Sequence, residues 1–190
     1  MDYYQYLNQI SGIEKELYDS LATCFSERGA KKGELILKKG AVQKELLFVI
    51  EGVQMSYHYH RDKLNVVAFT YPPSATGIPE SFMTQKPSAF CLEAMSDSRF
   101  YAIDYNQFQQ LIDTHPKLMQ LYRKMTEQLF IGTLERNVEL QAFSMEERFR
   151  AFAQRSPHLF QLIPHKYLAS YLNISPTNFS KLYNRIRIGE

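Results

Sequence analysis

The chain has 190 residues, 45% of them hydrophobic, with 22 Lys+Arg against 20 Asp+Glu and two cysteines. That composition gives ample material for a folded core and excludes a disordered chain or a disulfide scaffold. No apolar run approaches a membrane span, and the start MDYYQYLNQI lacks the basic and apolar regions of a secretory signal, so a cytoplasmic protein without membrane contact is expected.

Residues 3–28 carry apolar positions at helical spacing (Tyr6, Ile10, Ile13, Leu17, Leu21, Phe25), which predicts short N-terminal helices. From Lys31 the texture changes to glycine-punctuated runs rich in β-branched and aromatic residues: GELILKKG, KELLFVIEG, VQMSYHYH and LNVVAFTY. In the third run Val53, Met55, Tyr57 and Tyr59 alternate with Gln54, Ser56, His58 and His60, the period of a half-buried antiparallel strand. A loop from Pro72 to Pro87 precedes two more strands, AFCLEAMS and SRFYAID. Short strands at regular intervals, without long intervening helices, favour a sandwich or barrel over a parallel sheet.

At Asp104 the period returns to helical. Asp104 is a candidate N-cap with Gln107 placed for a capping box, and Phe108, Leu111 and Ile112 supply the apolar face. After His115-Pro116 a long helix is predicted to about Phe143, with a broad apolar stripe. That stripe has two uses: packing on its own domain, or pairing with a second copy, for which Leu118, Leu121, Met125 and Leu129 are the candidates.

The last stretch, PHKYLASYLNISPTNFSKLYNRI, reads as helix, tight turn, helix. Leu168, Ala169 and Leu172 share one face, Asn173 suits a left-handed helix end, and Ile174 plugs the corner. Ser175 is a good N-cap and Pro176 suits the first helical position. Phe179, Leu182 and Ile186 point inward, leaving Thr177, Asn178, Ser180, Lys181, Asn184 and Arg185 outward, groups that hydrogen-bond base edges and phosphates. Charge is segregated in the same sense: residues 1–140 hold 15 Lys+Arg against 17 Asp+Glu, and residues 141–190 hold 7 against 3.

A small-strand domain, a long helix and a terminal helix-turn-helix, in this order and size, resemble the Crp/Fnr family of bacterial transcription regulators. The resemblance rests on GELILKKGAVQKELLFVIEGVQMSY and YLASYLNISPTNFSKLYNRI. It implies an α+β fold: an antiparallel, jelly-roll-like β-roll flanked by helices as a sensor (1–115), a long dimerisation helix (116–143), and a helix-turn-helix domain (144–190). The end at Glu190 is expected to leave no room for a full β-wing. Ser175, Pro176, Thr177, Asn178, Ser180, Lys181 and Arg185 would sit at or beside the reading positions, and Lys166 would face phosphate. The implied partners are double-stranded DNA, a second copy, a small-molecule effector of unknown identity, and RNA polymerase as a further one.

One departure from the family concerns the loop Gly77–Ala94, where cyclic-nucleotide-binding relatives hold the phosphate and ribose. Glu80 lies at the place of the ribose-binding carboxylate and Pro87 at that of the usual proline, but the phosphate-binding arginine is replaced by Ser88. A hydroxyl replaces a charge-assisted fork, which is expected to weaken cyclic nucleotide binding by ~2–5 kcal/mol unless Arg99 or Lys86 compensates. No cofactor is therefore expected, cyclic nucleotides being disfavoured. Two cysteines also fall short of an iron–sulfur ligand set. The candidates for an effector pocket are Phe69, Tyr71, Gly77, Glu80, Ser81, Phe82, Pro87 and Ser88, although aromatics there also serve to fill a small core.

His58 and His60 share a strand face without a third ligand, so no metal is assigned. No phosphate loop, GxSxG or HExxH occurs, so no enzyme is expected. The alternative to a DNA-binding regulator is a ligand- or protein-binding module whose terminal helices merely complete the fold.

Overall fold

The computed structural model describes residues 2–186. In chain order the elements are α1 (Tyr3–Ser11), α2 (Lys15–Ala22), β1 (Ser26–Ala30), β2 (Leu35–Leu37), β3 (Glu45–Glu51), β4 (Gln54–His60), β5 (Lys63–Thr70) and β6 (Ala75–Thr76). They continue as α3 (Pro79–Thr84), β7 (Cys91–Ala94), β8 (Ser98–Asp104), α4 (Tyr105–Thr114), α5 (Pro116–Ala142), α6 (Met145–Arg155), α7 (Leu159–Leu162), α8 (His165–Leu172) and α9 (Pro176–Arg185). The chain divides into two compact units. One runs up to Ser56 and from Phe69 to Phe130; the other holds Tyr57–Ala68 and everything from Ile131.

The strands form two four-stranded sheets, ordered β1-β8-β3-β6 and β2-β7-β4-β5. β8 pairs antiparallel with β1 and β3, and β2 with β7. Strand β3 explains why ELLFVIE reads as a continuous apolar run. Leu47 and Val49 enter a core shared with Ile36, Leu37, Leu92 and Phe100, while Phe48 enters a second core with Leu7, Leu21, Phe108 and Leu118. A strand buried on both faces needs no polar alternation. Between β3 and β4 the backbone turns at Gly52 with φ of 90°, and a Cβ there would lie 2.3 Å from the Ser98 hydroxyl, so only glycine fits.

Four local expectations are corrected. Residues Ser26–Ala30, the first three of them placed in the helical stretch, form β1, whose SERGA sequence has no apolar period and is held by backbone pairing to β8. The Pro72–Pro87 loop contains β6 and helix α3. Gln54, assigned to the polar side of β4, is fully buried, its amide donating to Ser98 Oγ at 3.0 Å and accepting from Thr70 Oγ1 at 3.2 Å. Tyr59, assigned to the buried side, is half-exposed near the strand's end. The Asp104 cap forms as expected, its carboxylate accepting from the backbone N–H groups of Asn106 and Gln107. The full capping box lies instead at the start of α6, where Ser144 and Glu147 exchange bonds with each other's backbone.

Candidate nucleic-acid interface and effector loop

The terminal helices are built by the residues the sequence singles out. Leu168, Ala169 and Leu172 of α8 are buried, as are Ile174 at the corner, Phe179 and Leu182 of α9, and Ile186 just past its end. Asn173 adopts the left-handed conformation, φ 51°, and ends α8. Ser175 Oγ accepts from the Asn178 backbone N–H at 3.3 Å, and Pro176 occupies the first turn of α9. Phe149, Phe160 and Phe179 form an aromatic cluster beneath, with centroids 5.2–6.1 Å apart.

Lys166, Ser175, Pro176, Thr177, Ser180, Lys181 and Arg185 are exposed, and Asn178 is half-buried. At 3.6 residues per turn, Thr177, Ser180, Lys181 and Asn184 share one side of α9. The Ser175 hydroxyl is occupied by the cap. Asn178 Nδ2 lies 3.5 Å from Met145 Sδ, and Arg185 is ion-paired with Glu146, which also binds Arg150 at 2.8 Å. The Arg150 hydrogen bond, then the Arg185 charge, hold the Glu146 carboxyl below its ordinary value. Lys166 sits 4.7 Å over the Tyr167 ring. The expectation about a wing concerns residues 187–190, which lie outside those described.

The basic character of this region is narrower than its charge count. Arg148 is buried, Arg155 pairs with Glu139 at 2.8 Å, and Arg150 and Arg185 share Glu146. Lys166 and Lys181 are exposed cations outside these ion pairs, and Arg187 lies outside the described residues.

In the loop Gly77–Ala94, the candidate effector site, the polar groups turn toward one another. Ser88 is buried and donates from Oγ to Glu80 Oε1 at 3.1 Å, while the same oxygen accepts from the Phe90 N–H at 2.9 Å. Its backbone N–H and C=O bond Ala41 and Gly40, each at 2.8 Å. Ser81 Oγ donates to the Lys86 carbonyl at 2.6 Å and accepts from the Gln43 N–H at 3.0 Å. Gly77, φ 144°, lies against the Gln43 amide. Phe82 is a core residue: it is buried against Tyr105 and Phe108, so its ring is spent on packing. Phe69 and Tyr71 are half-buried, and Glu80 and Pro87 are exposed. Arg99, one possible compensating cation, lies 3.4 Å from Glu27. Among the described residues no cluster of three or more His, Cys, Asp or Glu could hold a metal, and no helix is long and apolar enough to cross a membrane.

The long helix carries two apolar faces. Leu118 and Leu121, assigned to pairing with a second copy, are 2% and 4% exposed in the chain's own core, and Met125 packs against that core. These three are corrected to intramolecular packing. Leu129, on the same side, is half-exposed. On the opposite side Phe130, Ile131, Leu134 and Val138 form an open stripe, with Phe130 63% and Val138 54% exposed. A stripe read from sequence merges two such faces into one.

Residues 27–115 match the cyclic nucleotide-binding domain family. Among curated protein sequences none matches the chain. Solved structures do. FixK2 from Bradyrhizobium japonicum is 14% identical with a TM-score of 0.73, over 85% of this chain and 83% of that one. The catabolite activator protein of Thermus thermophilus is 20% identical with a TM-score of 0.60, over 97% and 90%. The c-di-GMP-responsive global regulator CLP of Xanthomonas campestris is 15% identical with a TM-score of 0.68, over 90% and 91%. Residues 27–115 are thus similar to the cyclic nucleotide-binding domain family, and the chain shares the α+β fold of these solved structures.

Proposed function

We propose that the protein is a sequence-specific DNA-binding transcription regulator that acts as a homodimer, in the cytoplasm and without catalysis. The observation that carries this reading is the side of α9 formed by Thr177, Ser180, Lys181 and Asn184. It is an exposed donor- and acceptor-rich surface with no acidic residue, on a helix that is capped and packed on its other side. Within this reading α9 enters the major groove and Lys166 meets phosphate. The stripe Phe130, Ile131, Leu134 and Val138 packs against its copy, because four large apolar side chains on one exposed helical face are unfavourable in water. Two reading helices about 34 Å apart then address a near-palindromic site.

The β-sheet domain is the sensor, and its effector is not a cyclic nucleotide. Ser88 brings no charge to the phosphate position, and its hydroxyl is already given to Glu80. Gly77, Glu80, Ser81, Pro87 and Ser88, with Phe69 and Tyr71, remain the residues assigned to that site.

The internal engagement of Arg148, Arg150, Arg155 and Arg185 favours the second reading, a ligand- or protein-binding module that does not touch DNA. Selection from a random double-stranded DNA pool separates the two. Enrichment of a two-fold symmetric sequence, with affinity falling steeply with salt, is the expected result. Absence of any enriched sequence would overturn the regulator. Sedimentation tests the stripe: the wild type is expected as a dimer and Leu134→Arg as a monomer.

A further inference from the structure

A helix leaves its last carbonyls without intrahelical partners, and those of α8 have unusual ones. The carbonyls of Ala169 and Ser170 accept from backbone N–H groups of Ile174 and Asn173, the ordinary ending at a left-handed residue. The next three are all taken by arginines. Arg136, from α5, donates to the Tyr171 carbonyl. Arg148, from α6, donates from Nε to Leu172 O at 2.9 Å and from Nη2 to Asn173 O at 3.3 Å. Its remaining terminal nitrogen donates to Phe143 O at 2.6 Å, one residue beyond the end of α5.

Neither guanidinium is free to swing. Arg148 is buried, and Arg136 sits over the Tyr171 ring, 4.1 Å from its centroid, while donating to Glu139 at 2.9 Å. Glu139 is shared with Arg155 of α6 at 2.8 Å. A guanidinium is a rigid planar fork, so two of them fix an orientation as well as a distance. Three of the carbonyls they hold, those of Tyr171, Leu172 and Asn173, lie within four residues of Ser175, the N-cap of α9. A ten-residue helix is about 15 Å long, so a tilt of about 10° at its start moves its far end by about 2.5 Å, enough to break base-edge hydrogen bonds.

We propose that Arg136 and Arg148 are positioning residues for DNA reading: they tie the α8 end and the turn to α5, so that α9 is presented at one fixed angle. The inference rests on the DNA-binding reading above. Its consequence is that the long helix, the element assigned to pairing, sets through these two side chains how far apart and how inclined the two reading helices stand.

The test uses the full chain and the duplex that the wild type enriches from a random pool. Binding is compared for that duplex, a scrambled one, and versions with the half-sites moved by one or two base pairs. Arg136→Met is the informative variant, being less buried than Arg148, with measurements made where its circular dichroism matches the wild type. It is expected to lose about tenfold in preference for the selected over the scrambled duplex and to accept the shifted spacings. Arg136→Lys recovers part of both, and Lys181→Ala weakens binding while keeping the spacing preference. Wild-type preference and wild-type spacing in Arg136→Met overturn the positioning role. If the wild type enriches no sequence, the DNA-binding reading itself falls, and the proposal with it.

Discussion

The loop Gly77–Ala94 and the terminal helix pair are both rich in small polar side chains, yet they use them in opposite ways. In the loop, Ser81, Ser88, Gln43 and Gln85 bond to neighbouring backbone groups, and Ser88 also donates to the Glu80 carboxylate. On α9, Thr177, Ser180, Lys181 and Asn184 face outward, while the hydrogen bonding that holds the helix pair together comes from side chains off that surface: Ser175, Arg136 and Arg148. A polar residue is available for recognition only when another group has taken over the local structural work. That division leaves the outward side of α9 exposed and the loop bonded to itself.

The largest expected effect removes a structural group from beneath the outward side of α9. Arg148→Leu deletes three hydrogen bonds from a charged donor and leaves the Leu172, Asn173 and Phe143 carbonyls short of partners. A loss of about 3 kcal/mol or more is expected in urea unfolding followed by circular dichroism. A loss under about 0.5 kcal/mol, the usual range for a surface change, would show that the turn does not depend on it.

The comparison is sharpest where one substitution is made in both regions. Ser88→Ala removes the acceptor of the Phe90 N–H and the donor to Glu80 at a buried site, and is expected to cost about 1–3 kcal/mol. Ser180→Ala, at an exposed helical position, is expected to change stability by less than about 0.5 kcal/mol while weakening binding to the selected duplex. Equal stability costs at the two sites would erase the distinction. Smaller again is Lys181→Ala, which is expected to leave stability unchanged and to lower the slope of log affinity against log salt by about 1 if the ammonium meets phosphate.

Much of this was legible in the sequence, because local signals stay local. Ser175-Pro176, the left-handed Asn173 and the inward Phe179, Leu182 and Ile186 each follow from propensity and period, and all three stand in the structure. The strands that alternate or run apolar were legible for the same reason. What was not legible depends on distant partners. Strand β1 has no pattern of its own and exists because β8 lies beside it. The face of α5 was misassigned because apolar residues occupy both sides, and periodicity says nothing about which side the chain covers. Gln54 and Arg148 are polar residues whose burial depends on hydrogen-bond partners 16 to 44 residues away. A partial signal existed for Arg148: it follows a readable Ser144-x-x-Glu147 box and neighbours Phe149 and Phe152 on the buried side of α6.

The smallest effect concerns the charge that braces the arginine tie. Burial pushes the Glu139 carboxyl upward, but hydrogen bonds from Arg155 and then Arg136 outweigh it and hold the group below its ordinary value of 4.5. A carboxyl depressed on folding contributes stability that is fully present above its unfolded value and disappears as pH falls through the folded one. The contribution should therefore be complete at neutral pH and fade only below about 4.5. Glu139→Gln is expected to flatten the acid limb of a melting temperature against pH profile in that window, leaving the limb's neutral plateau parallel to the wild type. If Glu139→Gln preserves the full acid limb, the carboxylate does not brace Arg136, and the tie between α5 and α8 rests on the stacking with Tyr171 and the carbonyl alone.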